Sequence, residues 1–230
     1  GLDVAGTAYA GVPIPRIGRN RTLAWGITNN ICMQRDLYVE QLDPENHDRY
    51  LDEDRWQPIE KRTADLAVRG QEPHSLEIRF AHGRPIVDHM VADAAHPKNL
   101  WENERGANTA LSLAWVGFEL SDEPKAFLDL CRATTVETGR QSLAGIRCAT
   151  WNYVLADTDG QVAYQCTGAL PLRGRTYRGY RDANNPADAW LGYIPFDGLP
   201  RLENPPRGWV ASANNPAAPP DFPYPLSGTW

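Results

Sequence analysis

The chain has 230 residues, a hydrophobic fraction of 42% and a formal net charge of −6. That apolar content is enough for a core, and the acidic balance argues against nucleic acid as the main partner, because phosphate binding needs concentrated lysine and arginine. No stretch reads as a membrane span or a signal peptide, and 19 prolines with 19 glycines point to long irregular connections.

Val12-Pro13-Ile14-Pro15-Arg16-Ile17 reads as extended, since each proline fixes its own φ and pushes the preceding residue toward β or polyproline II. Two prolines suit an edge strand. Gly18 to Arg21 reads as a tight turn, where glycine and asparagine tolerate positive φ. Leu23, Trp25 and Ile27 then alternate with Thr22, Ala24, Gly26 and Thr28, the period of a half-buried strand. Leu37, Val39 and Gln41 alternate with Tyr38, Glu40 and Leu42 in the same way. Pro44 to Arg69 is charged with scattered apolar residues. Ser75 to Phe80 and Pro85 to Met90 flank Ala81–Arg84 as a hairpin, and Leu111 to Leu120 forms a further strand.

The period then changes. Phe127, Leu130, Cys131 and Thr134 fall at helical spacing, with Pro124 where a first turn tolerates it. Thr134-x-x-Glu137 has the capping-box form and starts a second helix, for which Gly145 is an end. Ala149–Ala156 and Gln161–Thr167 flank the turn Asp157–Gly160, the clearest hairpin in the chain. Residues 171–208 are loop-rich around an apolar island at Trp190–Phe196. Trp209–Ala213 is a last strand before Asn214-Asn215-Pro216, and the tail to Trp230 is nearly a proline coil.

Cys32, Cys131, Cys148 and Cys166 lack zinc-site spacing. Counting outward from the Asp157–Gly160 turn places Cys166 opposite Trp151 and Cys148 opposite Ala169, which disfavours a disulfide between them. His74, His82, His89 and His96 share no helix face and read as structural or solvated rather than as metal ligands. The basic stretch Arg173–Arg181 reads as a solvated loop rather than an anion site. From pattern alone the strands of residues 12–42 are an ordinary β-meander.

Five blocks, in order, carry more. Gly1–Gly6, then Gly18-Arg19-Asn20 with Ala24-Trp25-Gly26-Ile27-Thr28, then Asn152–Gly168 with Ala156-Asp157-Thr158-Asp159-Gly160 and Gly168-Ala169-Leu170-Pro171, then Tyr193-Ile194-Pro195-Phe196, and last Ala213-Asn214-Asn215-Pro216 resemble the central part of the catalytic β-subunit of the penicillin acylase family. The resemblance covers nearly the whole chain. It implies an α+β fold, part of the αββα four-layer sandwich of N-terminal-nucleophile hydrolases, β-rich with a short helical pair and long loops. It implies that residues 1–230 are a fragment whose partners are an α-subunit and the nucleophile-bearing start of the β-subunit, in a periplasmic or secreted protein.

The chemistry so implied is cleavage of an N-acyl amide in a β-lactam, an acyl-homoserine lactone or a related acyl-amine. A serine at the start of the β-subunit attacks, with its own α-amine as base. Matched residue by residue, Asn214 supplies the side-chain oxyanion donor and the N–H of Asn29 the backbone donor. Outside the family context, Asn214 reads as a turn residue before proline. Ile17 and Trp151 match positions in the acyl-pocket wall, and core packing suits either of them equally. Many members bind calcium. Asp36 matches one ligand position, but Met33 and Leu226 hold two others, so the resemblance implies at most an incomplete calcium site and no resident cofactor. A non-catalytic binding or scaffold protein that kept the fold is the alternative, and a carbohydrate-binding module using exposed tryptophans is a third reading.

Overall fold

The computed structural model describes residues 1–12, 14–88, 108–175 and 179–226. In chain order the strands are β1 (Ala5–Thr7), β2 (Ile17–Arg19), β3 (Leu23–Asn29), β4 (Arg35–Asp43), β5 (Asn46–Asp52), β6 (Arg55–Pro58), β7 (Glu60–Leu66), β8 (His74–Ala81), β9 (Arg84–Pro85) and β10 (Thr109–Trp115). Helices α1 (Glu123–Arg132) and α2 (Val136–Ser142) follow. The chain returns to strands at β11 (Trp151–Asp157), β12 (Val162–Cys166), β13 (Pro171–Arg173), β14 (Arg181–Asp182), β15 (Trp190–Tyr193) and β16 (Arg201–Glu203). The chain divides into two compact units, one of residues 1–34, 116–172 and 190–230, the other of residues 35–115 and 173–189.

The first unit is built on an antiparallel sheet in the order β1-β2-β3-β11-β12-β16. Strand β3 pairs with β11 along its length, from Leu23 opposite Asp157 to Asn29 opposite Trp151. Leu23, Trp25, Tyr153 and Leu155 point to one face and are buried against Phe127, Leu130, Val136 and Leu143 of the helical segment. The period-two and helical patterns thus meet in one core. Gly139 permits the close approach of α2, since a Cβ there would lie 2.8 Å from Leu23 Cδ2.

Helix α1 starts at Asp122, whose side chain accepts from the Lys125 N–H, with Pro124 in the first turn. It ends at Arg132, two residues short of Thr134, because Ala133 is extended at ψ 141°. Asn20 closes that end. Its Nδ2 donates to the carbonyls of Cys131 (3.2 Å) and Ala133 (2.6 Å), while its Oδ1 accepts from the N–H groups of Thr22 and Leu23. One side chain therefore forms the β2–β3 turn and satisfies orphan carbonyls of α1. Asn20→Ala should lower stability by about 2–3 kcal/mol, the cost of leaving such groups unpaired. Asn20→Asp keeps the Oδ1 acceptor but sets a carboxylate oxygen against the same two carbonyls at the negative end of the helix, so it should lose at least as much. Denaturant midpoints of the intact protein would decide, and a loss for Asn20→Asp well below that for Asn20→Ala would remove the capping role of Nδ2.

Several expectations shift. Gly18 and Arg19 belong to β2, and the turn is Asn20–Thr22. The capping box of α2 is Thr135 with Thr138, one residue later than Thr134 with Glu137. Glu137 turns instead to Arg140. The β11–β12 loop has three residues, Thr158–Gly160, because Asp157 and Gln161 still pair and Gly160 takes the left-handed region at φ 79°. That extra closing pair moves the register by one, so Cys166 faces Asn152, not Trp151. All four cysteines are free. Trp209–Ala213 forms no strand, and β16 covers the sheet edge instead.

The second unit holds the sheet β10-β4-β5-β6, with β14 parallel to β4, and a separate sheet β7-β8-β9. The charged stretch from Pro44 onward forms three strands, β5, β6 and β7. It escapes a period-two reading because most of its residues are exposed on both faces. The β8–β9 turn is two residues, His82 and Gly83 at φ 50° and 70°, with Ala81 opposite Arg84. The strand expected over Leu111–Leu120 is Thr109–Trp115, followed by a 3-10 turn at Val116–Phe118. His89, Met90 and His96 lie outside the described residues.

The basic stretch is not a solvated loop. Arg173 and Arg181 are buried. Arg181 lies 3.1 Å from Asp36 Oδ1 and 3.6 Å from Asp188 Oδ1, and Arg173 lies 2.8 Å from Asp36 Oδ2. Arg175 binds Asp188 as well.

Candidate active site

Strand β3 ends at Asn29, and its last residues are pinned from both sides. The buried Asn152 of β11 sits opposite Thr28. Its Nδ2 lies 3.1 Å from Thr28 Oγ1, 3.0 Å from the Asn29 carbonyl and 3.0 Å from Ser212 Oγ, sharing two hydrogens among three acceptors. Its Oδ1 accepts from the Tyr164 hydroxyl at 2.6 Å. Thr28 Oγ1 and Ser212 Oγ are themselves 2.5 Å apart. Burial pushes the Tyr164 phenol well above its ordinary range, so it stays a donor.

The next residue, Asn30, is fully buried. Its N–H donates to the Thr150 carbonyl, and its side chain reaches Cys166 Sγ at 2.7 Å and the Thr167 carbonyl at 3.3 Å. Its Oδ1 accepts from the Cys32 N–H. The backbone around Asn29 is thus held by the side chains of Asn152 and Asn30.

Ser212 ties the same strand end to the segment that carries Asn214. The Asn29 N–H donates to Asn214 Oδ1 at 3.0 Å. Asn214 has φ 58°, a left-handed conformation that asparagine tolerates, and Asn215 Oδ1 accepts from the Ala213 N–H across the turn. Asn214 is a turn residue, and its side-chain oxygen accepts from Asn29.

Asn29 and Asn214 face a cavity of about 340 Å³ whose lining includes Tyr9, Arg16, Ile17, Ile27 and Thr28. The structure therefore brings together Asn29, Asn214 and Ile17. Trp151 does not line this cavity. It sits opposite Asn29 in the β3–β11 ladder, packs on Phe127 and touches Arg16, whose guanidinium carbon lies 4.3 Å from its ring centroid. Arg16, Asn30, Asn152, Tyr164 and Ser212 were not singled out by the sequence. Nothing local marks an arginine in a proline run or a serine in a coil, and only the Asn29-Asn30 doublet after a strand hints that polar side chains turn inward there.

Asp36 belongs to the second unit. Its carboxylate is offered to Arg173 and Arg181. Calcium prefers six or more oxygen ligands. Two guanidinium groups already supply the positive charge here, so these residues do not fit a calcium ion. Among the described residues no group of three or more His, Cys, Asp or Glu side chains is placed to hold a metal. Leu226, at another expected ligand position, packs against a core cluster with Leu170 and Ile194.

The β-rich architecture with two short helices is that of the N-terminal-nucleophile hydrolases of the penicillin acylase type. A solved thermostable penicillin G acylase from Alcaligenes faecalis superposes with a TM-score of 0.81 at 26% identity, over 100% of this chain and 39% of that one. The profile of the family described as penicillin amidase matches residues 1–230, and the chain belongs to that family. An acyl-homoserine lactone acylase, QuiP, from Pseudomonas aeruginosa is 30% identical over 236 residues, 99% of this chain and 27% of the relative. A penicillin G acylase from Escherichia coli is 27% identical over 234 residues, 99% of this chain and 25% of the relative. The chain thus spans about a quarter of the length of these curated relatives.

Proposed function

We propose that the intact protein hydrolyses an N-acyl amide bond, in a β-lactam, an acyl-homoserine lactone or a related acyl-amine, and that this stretch supplies its oxyanion hole and part of its acyl-pocket wall. The observation that carries this reading is the meeting of the Asn29 N–H and the Asn214 side chain at 3.0 Å on the wall of a cavity shared with Ile17. The named acylases among its relatives support the same chemistry.

In this mechanism a serine outside these residues attacks the amide carbon, and its α-amine takes the proton. That amine titrates near neutral pH, so it is free to accept a proton where a lysine is not. The carbonyl oxygen becomes negative and needs donors placed before the reaction starts. The Asn29 N–H is one, and Asn214 Nδ2 is the other. Without substrate the Asn29 N–H is satisfied by Asn214 Oδ1. The incoming oxygen takes over that bond, and a modest turn of the Asn214 amide adds the second donor. Neither group titrates, so both keep their role across the working pH range. Asn152 holds the Asn29 carbonyl and the Thr28 hydroxyl and so fixes the strand end that carries the first donor. By this reading residues 1–230 alone are catalytically silent.

The test is to incubate the intact protein with a panel of N-acyl amides and to quantify released amine and carboxylic acid. Release in equal amounts is expected. No release from any member of the panel would sink the hydrolase reading.

A further inference from the structure

Two bonds tie the segment that carries Asn214 to the end of β3. One runs from the Asn29 N–H to Asn214 Oδ1 at 3.0 Å. The other joins Thr28 Oγ1 and Ser212 Oγ at 2.5 Å, one residue before Asn29 on the strand and two before Asn214 on the segment. The Ser212 hydroxyl also accepts from Asn152 Nδ2 at 3.0 Å, and Asn152 is buried in β11. Tyr164 donates to Asn152 Oδ1, which holds the amide with its nitrogen toward Ser212. Two groups of the sheet, the Thr28 hydroxyl and the Asn152 amide, therefore fix the Ser212 hydroxyl. Trp209–Ala213 forms no strand, so these attachments to β3 and β11 run through side chains rather than through a ladder.

The two bonds have different fates in the reaction. By the mechanism above, the substrate oxygen takes the Asn29 N–H away from Asn214 Oδ1, and the Asn214 amide turns to offer Nδ2. At that moment the direct link between the two donors is gone. Yet both must stay within about 3 Å of one oxygen to stabilise its charge. The bonds of Ser212 to Thr28 and Asn152 take no part in the exchange and persist through it. A donor is placed only as well as the groups that support it, and Asn214 sits on irregular backbone at φ 58°.

We propose that Ser212 is a positioning residue of the oxyanion hole, whose hydroxyl keeps the Asn214 segment against the end of β3 while the substrate oxygen separates Asn214 from Asn29. This role rests on the acylase reading and adds to it the group that sets the spacing of the two donors. Ser212 acts through Asn214 rather than on the substrate. Its contribution is the hydroxyl itself, which accepts from Asn152 and shares a proton with Thr28, and a methyl group in its place can do neither.

The test uses the intact protein and one N-acyl amide that the wild type cleaves. Ser212→Ala should lower kcat about tenfold, less than the loss of a donor, because it misplaces Asn214 without removing it. KM should move little, since the oxyanion bonds strengthen only in the transition state. Ser212→Thr, which keeps the hydroxyl, should recover most of kcat. In an Asn214→Asp background, Ser212→Ala should cost less than about twofold more, because a residue that acts through Asn214 has no donor left to place. Amide hydrogen exchange in the peptide spanning residues 209–216 should quicken in Ser212→Ala and not in Ser212→Thr. Should Ser212→Ala fail to fold, Thr28→Val removes the other hydroxyl of the pair and carries the same expectations. A wild-type kcat in Ser212→Ala, or a loss that is undiminished in the Asn214→Asp background, would overturn the positioning role while cleavage by the wild type left the acylase reading standing. If the wild type cleaves no amide, the acylase reading fails and this role in it fails too, even where exchange still shows Ser212 holding the segment.

Discussion

Asn214→Asp in the intact protein should lower kcat by about 10²–10³-fold, the usual cost of removing one oxyanion donor. Aspartate keeps the shape of asparagine and, like it, tolerates the left-handed backbone that Asn214 holds at φ 58°. Alanine would confound lost chemistry with backbone strain. The variant replaces the donating Nδ2 by an oxygen and puts a negative charge where negative charge develops in the transition state. The ground-state carbonyl is only weakly negative, so KM should move little and the loss should fall on kcat. The side chain is exposed, which keeps the expected change in thermal stability small. Asn215→Asp is the control. Its Oδ1 accepts from the Ala213 N–H, and that bond survives the change. Steady-state kinetics with one acyl amide decide the matter. A loss below tenfold for Asn214→Asp, or an equal loss for Asn215→Asp, would remove Asn214 from the oxyanion hole.

What the sequence reveals about this molecule depends on where each segment faces. Strands β3, β11 and β12 are legible because one face is buried, and burial imposes the alternation of Leu23, Trp25 and Ile27 and of Tyr153 and Leu155. Strands β5 and β7 carry no such mark, since neither face is fully covered, and their pairing rests on backbone bonds that any composition can make. The register of the β11–β12 hairpin shifts by one residue with its shorter loop at Gly160, whereas Phe80 pairs with Pro85 as the flanking segments imply.

The candidate site is less legible still. Asn29 and Asn214 are 185 residues apart, and only the family pattern links them before the structure does. Arginine burial is hidden for the same reason. Arg173 and Arg181 read as solvated in a basic run, yet Asp36, 137 residues from Arg173, turns them inward. Charge pairing at that separation leaves no trace in local composition.

The largest expected effect on stability lies in the second unit, at Glu40. This side chain is fully buried, with Arg84 at 2.9 Å, His82 Nδ1 at 2.8 Å and the Ser112 hydroxyl on its carboxylate, while His82 Nε2 reaches Asp52 at 3.2 Å. Burial alone would push its pKa up, but the bonds from His82, Arg84 and Ser112 outweigh it and hold the carboxyl below its ordinary range. Glu40→Gln keeps the shape, leaves Arg84 without its anion and leaves His82 only the more exposed Asp52. The expected loss is about 3 kcal/mol, the lower end for breaking a buried pair, because the two cations are partly exposed.

The same group predicts a pH window. The bond to Glu40, set against burial, raises the His82 pKa. Its contribution is full below the unfolded histidine value of about 6.5 and is lost as pH rises through the raised folded value. Glu40 behaves in the opposite sense. Its contribution is full above the unfolded value of about 4.3 and is lost as pH falls through the lowered folded value. Stability of this unit should therefore be greatest between those limits. Thermal unfolding of the intact protein, followed from about pH 3 to about pH 9, should show His82→Gln flattening the alkaline limb while the acid limb remains. Glu40→Gln should flatten both. An alkaline limb that persists unchanged in His82→Gln would mean that the His82–Glu40 bond carries none of the pH dependence.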